Sequence, residues 1–299
     1  MKIASNILSL HAPKRFKMQI FKQKEAIGQE IDKLKSEGKS IGFVPTMGAL
    51  HDGHLFLVSQ AGASCDVVVV SIFVNPTQFD NPNDLKKYPR TLSADLILLE
   101  HLNLPILVFA PTAENIYGTK IEAENFSFGG LEFEMEGKFR NGHFNGVGTV
   151  VKKFFEIVKP DKAFFGEKDF QQLQIIRKMV EKNGLGVEII GCPIDRESSG
   201  LARSSRNERL DPEQRLRARF IYETLTQVKE DFGTKSATEL THWVEDQFKS
   251  NPELKLEYFE IADVDTLETI QKKQNGKKYR AFIAAYSGEI RLIDNIALN

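Results

Sequence analysis

His51 and His54 stand three residues apart at the end of the run Val44-Pro45-Thr46-Met47-Gly48-Ala49-Leu50-His51-Asp52-Gly53-His54. The run reads as a strand ending at Pro45, a tight turn built from small residues, and a helix that starts near Asp52, which is able to cap it. A helix start at the carboxyl end of a parallel strand offers free backbone N–H groups and a partial positive charge, which suits an anion. Both imidazoles can point one way from the first helical turn and donate to phosphate oxygens. The same pair would also suit zinc, but zinc needs a third ligand at a recognisable spacing and none is evident. Segment 42–54 is therefore expected to grip phosphates, as those of ATP.

Three more polar clusters follow apolar runs. In Ser71-Ile72-Phe73-Val74-Asn75-Pro76-Thr77-Gln78-Phe79, turn-forming Asn-Pro accounts for Asn75, whereas Gln78 has no such reason and reads as a substrate-contacting amide. In Phe164-Phe165-Gly166-Glu167-Lys168-Asp169-Phe170-Gln171-Gln172, Lys168 is placed to meet a phosphate and Gln172 lies one turn on. Asp169 there either holds a ribose hydroxyl or caps the helix. Solvated loops also carry such charges, but recurrence on one sheet edge favours function. In Ser199-Gly200-Leu201-Ala202-Arg203-Ser204-Ser205-Arg206-Asn207, hydroxyls and guanidinium groups suit a polyphosphate, although Ser/Arg-rich loops are common on surfaces.

The elements that must position these groups are legible in the hydrophobic pattern. Apolar runs at 40–45, 65–74, 104–110, 162–166 and 187–191 alternate with helical periodicities, such as Val147, Val150, Val151, Phe154, Phe155 and Val158. Leu173, Ile176 and Val180 give another helix, stopped by Asn183-Gly184. Continuously apolar strands between helices predict an α/β fold, a Rossmann-like doubly wound parallel sheet, over residues 18–194. Helical stretches at 211–231 and 236–250, then alternation at Leu254, Leu256 and Tyr258 and at 280–285, predict a smaller α+β domain over 195–299 that closes over the site.

Lys+Arg 40 against Asp+Glu 41 leaves a net charge of -1, which argues against nucleic acid as the main partner. No apolar run approaches the ~20 residues of a membrane helix, so no membrane partner is expected. The two cysteines, Cys65 and Cys192, border apolar runs and read as buried reduced thiols of a cytoplasmic protein. Residues 1–17 are basic with only a short apolar patch at 7–10, unlike a secretory signal. They are read as an extension outside the fold, which starts cleanly at Met18.

The motifs Pro45–His54, Phe73–Phe79, Tyr88-Pro89-Arg90-Thr91, Arg140 with His143-Phe144, Gly166–Asp169 and Ser204–Asn207, in this order, resemble those of the pantoate–β-alanine ligase (pantothenate synthetase) family. The resemblance spans the chain from Met18 onward and extends to the nucleotidyltransferases related to class I aminoacyl-tRNA synthetases. His51 and His54 match the HIGH-type element of that superfamily, and Arg203–Arg206 its KMSKS-type loop. The resemblance implies ATP-dependent condensation of pantoate with β-alanine through a pantoyl adenylate, releasing pyrophosphate and AMP. It assigns ATP to Met47, Gly48, Ala49, Leu50, His51, Asp52, Gly53 and His54, with His54 either the proton donor or a charged phosphate clamp. Gly166, Glu167, Lys168, Asp169, Arg203, Ser204, Ser205 and Arg206 would hold ribose and phosphates, with Asp195 near the adenine. Gln78 and Gln172 would grip pantoate, Gln78 also meeting β-alanine, and Asp95 would stand near Mg2+, which keeps several waters. A homodimer through the first domain is implied as well.

Three residues depart from the family pattern: Arg203 where Met is usual, Asp195 at a normally apolar position, and Asn141 in place of a common Pro. The alternatives are a nucleotidyltransferase acting on another small acceptor, or a catalytically silent paralogue.

Overall fold

The computed structural model describes residues 18–79 and 82–299; the extension read at 1–17 lies outside them. The first part of the chain runs β1 (Gln19–Phe21), α1 (Lys24–Ser36), β2 (Ile41–Thr46), α2 (Asp52–Ser64), β3 (Val67–Ile72), α3 (Pro82–Lys87), α4 (Leu92–Glu100), β4 (Ile106–Phe109), α5 (Ala113–Tyr117), α6 (Glu136–Phe139), α7 (His143–Val158), β5 (Lys162–Gly166), α8 (Phe170–Asn183) and β6 (Glu188–Cys192). Its strands form one parallel sheet in the order β1-β4-β3-β2-β5-β6. β3 and β4 are buried almost throughout, as continuous apolar runs demand. On one face Ile27 and Ile31 of α1, Val151 and Phe155 of α7 and Ile176 of α8 pack on Phe43, Val69 and Phe109. On the other, Val58 and Ala61 of α2 and Leu99 of α4 pack on Val44, Val70 and Val108. The sheet is doubly wound, as expected.

The chain moves from β2 outward through β3 and β4, then returns to the other side of β2 for β5. Ligands of open parallel sheets bind at such a switch point, outside the carboxyl strand ends. One residue opens it further. Ser40 and Thr46 accept from β3-side amides (Val67 and Phe73), whereas Ile41 accepts from Asp161 before β5, so odd-numbered residues of β2 face β5. β2 and β5 share only the pairs Gly42–Lys162 and Phe43–Ala163. The next rung would need an N–H at position 45, which proline lacks, and the strands part there.

The remaining chain forms α9 (Pro212–Arg217), α10 (Phe220–Asp231), α11 (Ala237–Lys249), β7 (Lys255–Asp263), β8 (Tyr279–Ser287) and β9 (Ile290–Ala297), the strands being antiparallel in the order β7-β8-β9. Ile221, Leu225, Leu240 and Val244 of the helices close a second core against Phe259, Ala281, Ile283 and Leu292 of this sheet. The single helix expected over 211–231 is in fact two. The amides of Ile221 and Tyr222 bond three residues back, to Ala218 and Arg219, so the ladder tightens into 3-10 geometry without leaving the right-handed region. β9 has no counterpart among the expected strands. Cys192 is buried at the end of β6, and Cys65, expected to be buried, is half-buried after α2. Among the described residues no helix is long and apolar enough to cross a membrane.

Candidate active site

The turn after β2 is fastened from two sides. Thr46 Oγ1 donates to the Ser71 carbonyl (2.7 Å) and accepts from Gly48 N (3.2 Å). Gly48 sits at φ +83, where a side chain would be strained, and a Cβ there would stand 3.2 Å from Asp95 Oδ2. Asp95, from α4, accepts from Ala49 N (3.2 Å) and Leu50 N (2.8 Å), and Thr91 Oγ1 donates to it (3.2 Å). It is 1% exposed. Both oxygens of the carboxylate expected near Mg2+ thus face the turn's amides, and Asp95 braces the loop that leads to His51.

His51, in extended conformation, is the cap residue of α2, not Asp52. His54 Nδ1 accepts from the His51 backbone N–H at 3.4 Å, which leaves the ring proton of neutral His54 on Nε2. The two rings lie 4.1 Å apart. Burial, then His51 and Lys168, push the His54 pKa down to about 3. Burial and Lys168 also lower that of His51, whose Nδ1 is buried without a partner. Near neutrality both rings are uncharged donors, until an anion arrives and favours the charged form.

At the end of β3, Asn75 does more than turn the chain. Its Nδ2 donates to Gln78 Oε1 and to the Gly146 carbonyl, both at 3.1 Å, and its Oδ1 accepts from Tyr117 (2.6 Å). Gln78 Nε2 then points at Met47 Sδ, 3.0 Å away. His143, at the start of α7, donates from Nδ1 to the Gln78 carbonyl (2.9 Å), so its Nε2 accepts from Arg140 (3.2 Å). Burial, then Arg140, pushes its pKa down to about 4. A Cβ at Gly146 would lie 2.2 Å from the Thr77 carbonyl oxygen, so α7 is pressed directly onto the turn that carries Gln78.

At the end of β5, Glu167–Asp169 make a 3-10 turn into α8. Lys168, Asp169 and Gln172 line the cleft, and Asp169 makes no side-chain cap bond to α8. The Glu167 side chain pairs with Arg280 (2.8 Å), whose guanidinium lies 4.1 Å over Phe170. The loop from Asp195 closes the cleft. Arg203 N donates to the Asp195 carbonyl (3.0 Å), and the Arg203 side chain pairs with both Asp195 and Asp52 at 2.9 Å. Two of the three departures from the family pattern thus compensate one another. Buried Asn207 pins the loop by donating to the Ala202 carbonyl (3.0 Å) and to Glu197 (2.9 Å).

These segments surround one cavity of about 250 Å³. Met47, His51, Gly53, His54, Gln78, Gly166, Lys168, Asp169, Gln172, Asp195, Arg203, Ser204, Ser205 and Arg206 line it; Gly48, Ala49, Leu50, Asp52 and Glu167 stand behind. Sequence reasoning gave no site role to Tyr88, Asn75 or the apolar wall of Val147, Val150, Val151 and Phe154. That wall reads as ordinary helix core, and only its facing strand ends reveal it. Among the described residues no group of three or more His, Cys, Asp or Glu could hold a metal.

The family profile described as pantoate-beta-alanine ligase matches residues 19–297. A pantothenate synthetase of Christiangramia forsetii is 66% identical over 282 residues, which is 94% of this chain and 100% of that protein. The crystal structure of pantothenate synthetase from Thermus thermophilus superposes with a TM-score of 0.86 at 38% identity, covering 94% of this chain and 99% of that one. A Francisella tularensis pantoate-beta-alanine ligase complexed with beta-gamma ATP and beta-alanine superposes with a TM-score of 0.77 at 38% identity, over 94% and 98% of the two chains.

Proposed function

The chain belongs to the pantoate-beta-alanine ligase family, and from that premise we propose that the cleft between β2 and β5 is where ATP activates pantoate for ligation to β-alanine. One observation carries the assignment of the site: a single cavity gathers the histidine pair, Gln78, Lys168, Gln172 and the 203–206 loop from four separate strand ends and loops.

A carboxylate is a poor acyl donor. In the first step a pantoate carboxylate oxygen bonds to the α-phosphorus of ATP, the bond to the β-phosphate oxygen breaks, and pyrophosphate leaves. The β-alanine amine then attacks the acyl carbon, the bond to AMP oxygen breaks, and the nitrogen gives up a proton. The protein's part is positioning and charge stabilisation. His54 Nε2–H, His51, Lys168 and Arg206 face the phosphates, and Gln78 and Gln172 hold pantoate against the apolar wall of α7. Neutral histidines suit entry of a polyanion, because its charge draws protonation towards them as the leaving group forms.

Mg2+ is proposed as the companion of ATP, and Asp95, bonded to the turn after β2, is the carboxylate that would stand near it, the ion keeping several waters. A homodimer, a cytoplasmic location and no nucleic-acid partner complete the reading. Family likeness and a net charge of -1 support it, and light scattering of the purified chain reads the oligomer. The deciding assay is exchange of labelled pyrophosphate into ATP with and without pantoate. Pantoate-dependent exchange, with AMP formed on adding β-alanine, is expected. Exchange indifferent to pantoate would overturn the assignment.

A further inference from the structure

We propose that Asn295, on β9, is a positioning residue for the nucleotide: its side-chain amide sets the turn that aims Lys168 and Asp169 into the cleft. The inference rests on the reading above that Lys168 meets the ATP phosphates. Asn295 Nδ2 donates to two successive carbonyls of that turn, Glu167 at 2.9 Å and Lys168 at 2.8 Å. Fixing a carbonyl fixes its peptide plane. The two planes flank the Lys168 Cα and so fix the direction in which its side chain leaves the backbone, and the second also sets the chain's entry into Asp169.

The amide is itself held. Its Oδ1 accepts from Arg280, which also pairs with Glu167 and lies over Phe170. The Asn295 backbone N–H donates to Asp294 Oδ1 (2.8 Å), and the residue is 1% exposed. An acceptor on one side and two donors on the other are what asparagine alone supplies at this size. Aspartate would lack the donors, and leucine would lack both. The preceding residue, Asp294, binds Arg196 at 2.6 Å, at the base of the loop that carries Arg203–Arg206. Two adjacent residues of β9 therefore hold both segments assigned to the phosphates.

Asn295→Asp keeps the shape and the acceptor for Arg280 but loses both donations. It is expected to raise KM for ATP tenfold or more, leave KM for pantoate within about twofold, and lower the melting temperature by only a few degrees. Lys168→Ala is measured beside it, and the double variant is expected to be little worse than Lys168→Ala alone, since both act through one group. A folded Asn295→Asp enzyme with unchanged KM for ATP, beside an impaired Lys168→Ala, overturns the proposal. So does a loss spread evenly over ATP and pantoate. Unchanged KM for ATP in Lys168→Ala instead sinks the site reading on which it rests. If Asn295→Asp does not fold, Arg280→Gln, which unpins the amide, must show the same ATP-selective loss, and its absence is equally decisive.

Discussion

His54 enters the reaction cycle as an uncharged ring whose bare nitrogen is tied to the backbone of His51. On the proposed reading its remaining N–H meets a phosphate, so its main work is expected to be donation and not proton transfer. Glutamine can donate from a similar position but does not titrate. His54→Gln is therefore expected to keep kcat/KM for ATP within about tenfold with the pH–rate profile unchanged in shape, whereas His54→Ala, which removes the donor, is expected to lose roughly 10- to 100-fold. Loss of the basic limb in that profile would make His54 a general acid. At this scale the sequence was informative wherever a polar side chain follows a buried strand, as at Gln78, Lys168 and His54. It was silent on Asn295 and on the bonds made by Asp95 and Asn75, because their partners arrive from distant segments that no local spacing reveals. Arg203 and Asp195 looked like unrelated departures until their ion pair was seen.

Among the elements, α7 bears the closest constraint on the substrate side. Gly146 lets its backbone touch the turn of Gln78, and the opposing atom is a carbonyl oxygen that has little room to give. Gly146→Ala is expected to cost about 1–3 kcal/mol, the usual range for overpacking, and to raise KM for pantoate more than that for ATP. Urea unfolding and separate substrate titrations check the two halves. The parallel strands were readable because burial on both faces forces unbroken apolar runs. β9 was not, because Asp294 and Asn295 interrupt its pattern, the first to hold Arg196 and the second to reach the turn after β5. The break between α9 and α10 has no proline or glycine to announce it, only a change of hydrogen-bond partner at Ala218 and Arg219.

For the molecule as a whole, the buried histidines tie stability to pH. His54 and His143 have folded pKa values near 3 and 4, against 6.5 as the ordinary value. The unfolded chain thus binds protons below about pH 6.5 that the folded chain refuses. Their contribution is complete above that pH and is lost as pH falls, by up to about 1.4 kcal/mol per pH unit for each group. Urea midpoints measured from pH 7 down to about 5.5, before the carboxylates join in, are expected to fall steadily. His143→Gln is expected to remove its share of the slope and leave that of His54 and His51, and an unchanged slope would mean that His143 is already charged in the folded protein. The two cores and two sheets were visible in outline from the change of periodicity after β6, but not the way β9 reaches back to the first sheet.

Pro45 gives the sheet a property that a count of contacts would score as a flaw. A central strand is the place where a protein usually secures its most cooperative hydrogen bonding, and here one rung is left out at the middle of the molecule. The omission makes the opening permanent: the two halves of the sheet cannot zip together over an empty site, so no folding energy has to be surrendered each time a nucleotide enters. Local stability has been traded for a cleft that already exists when its ligand arrives.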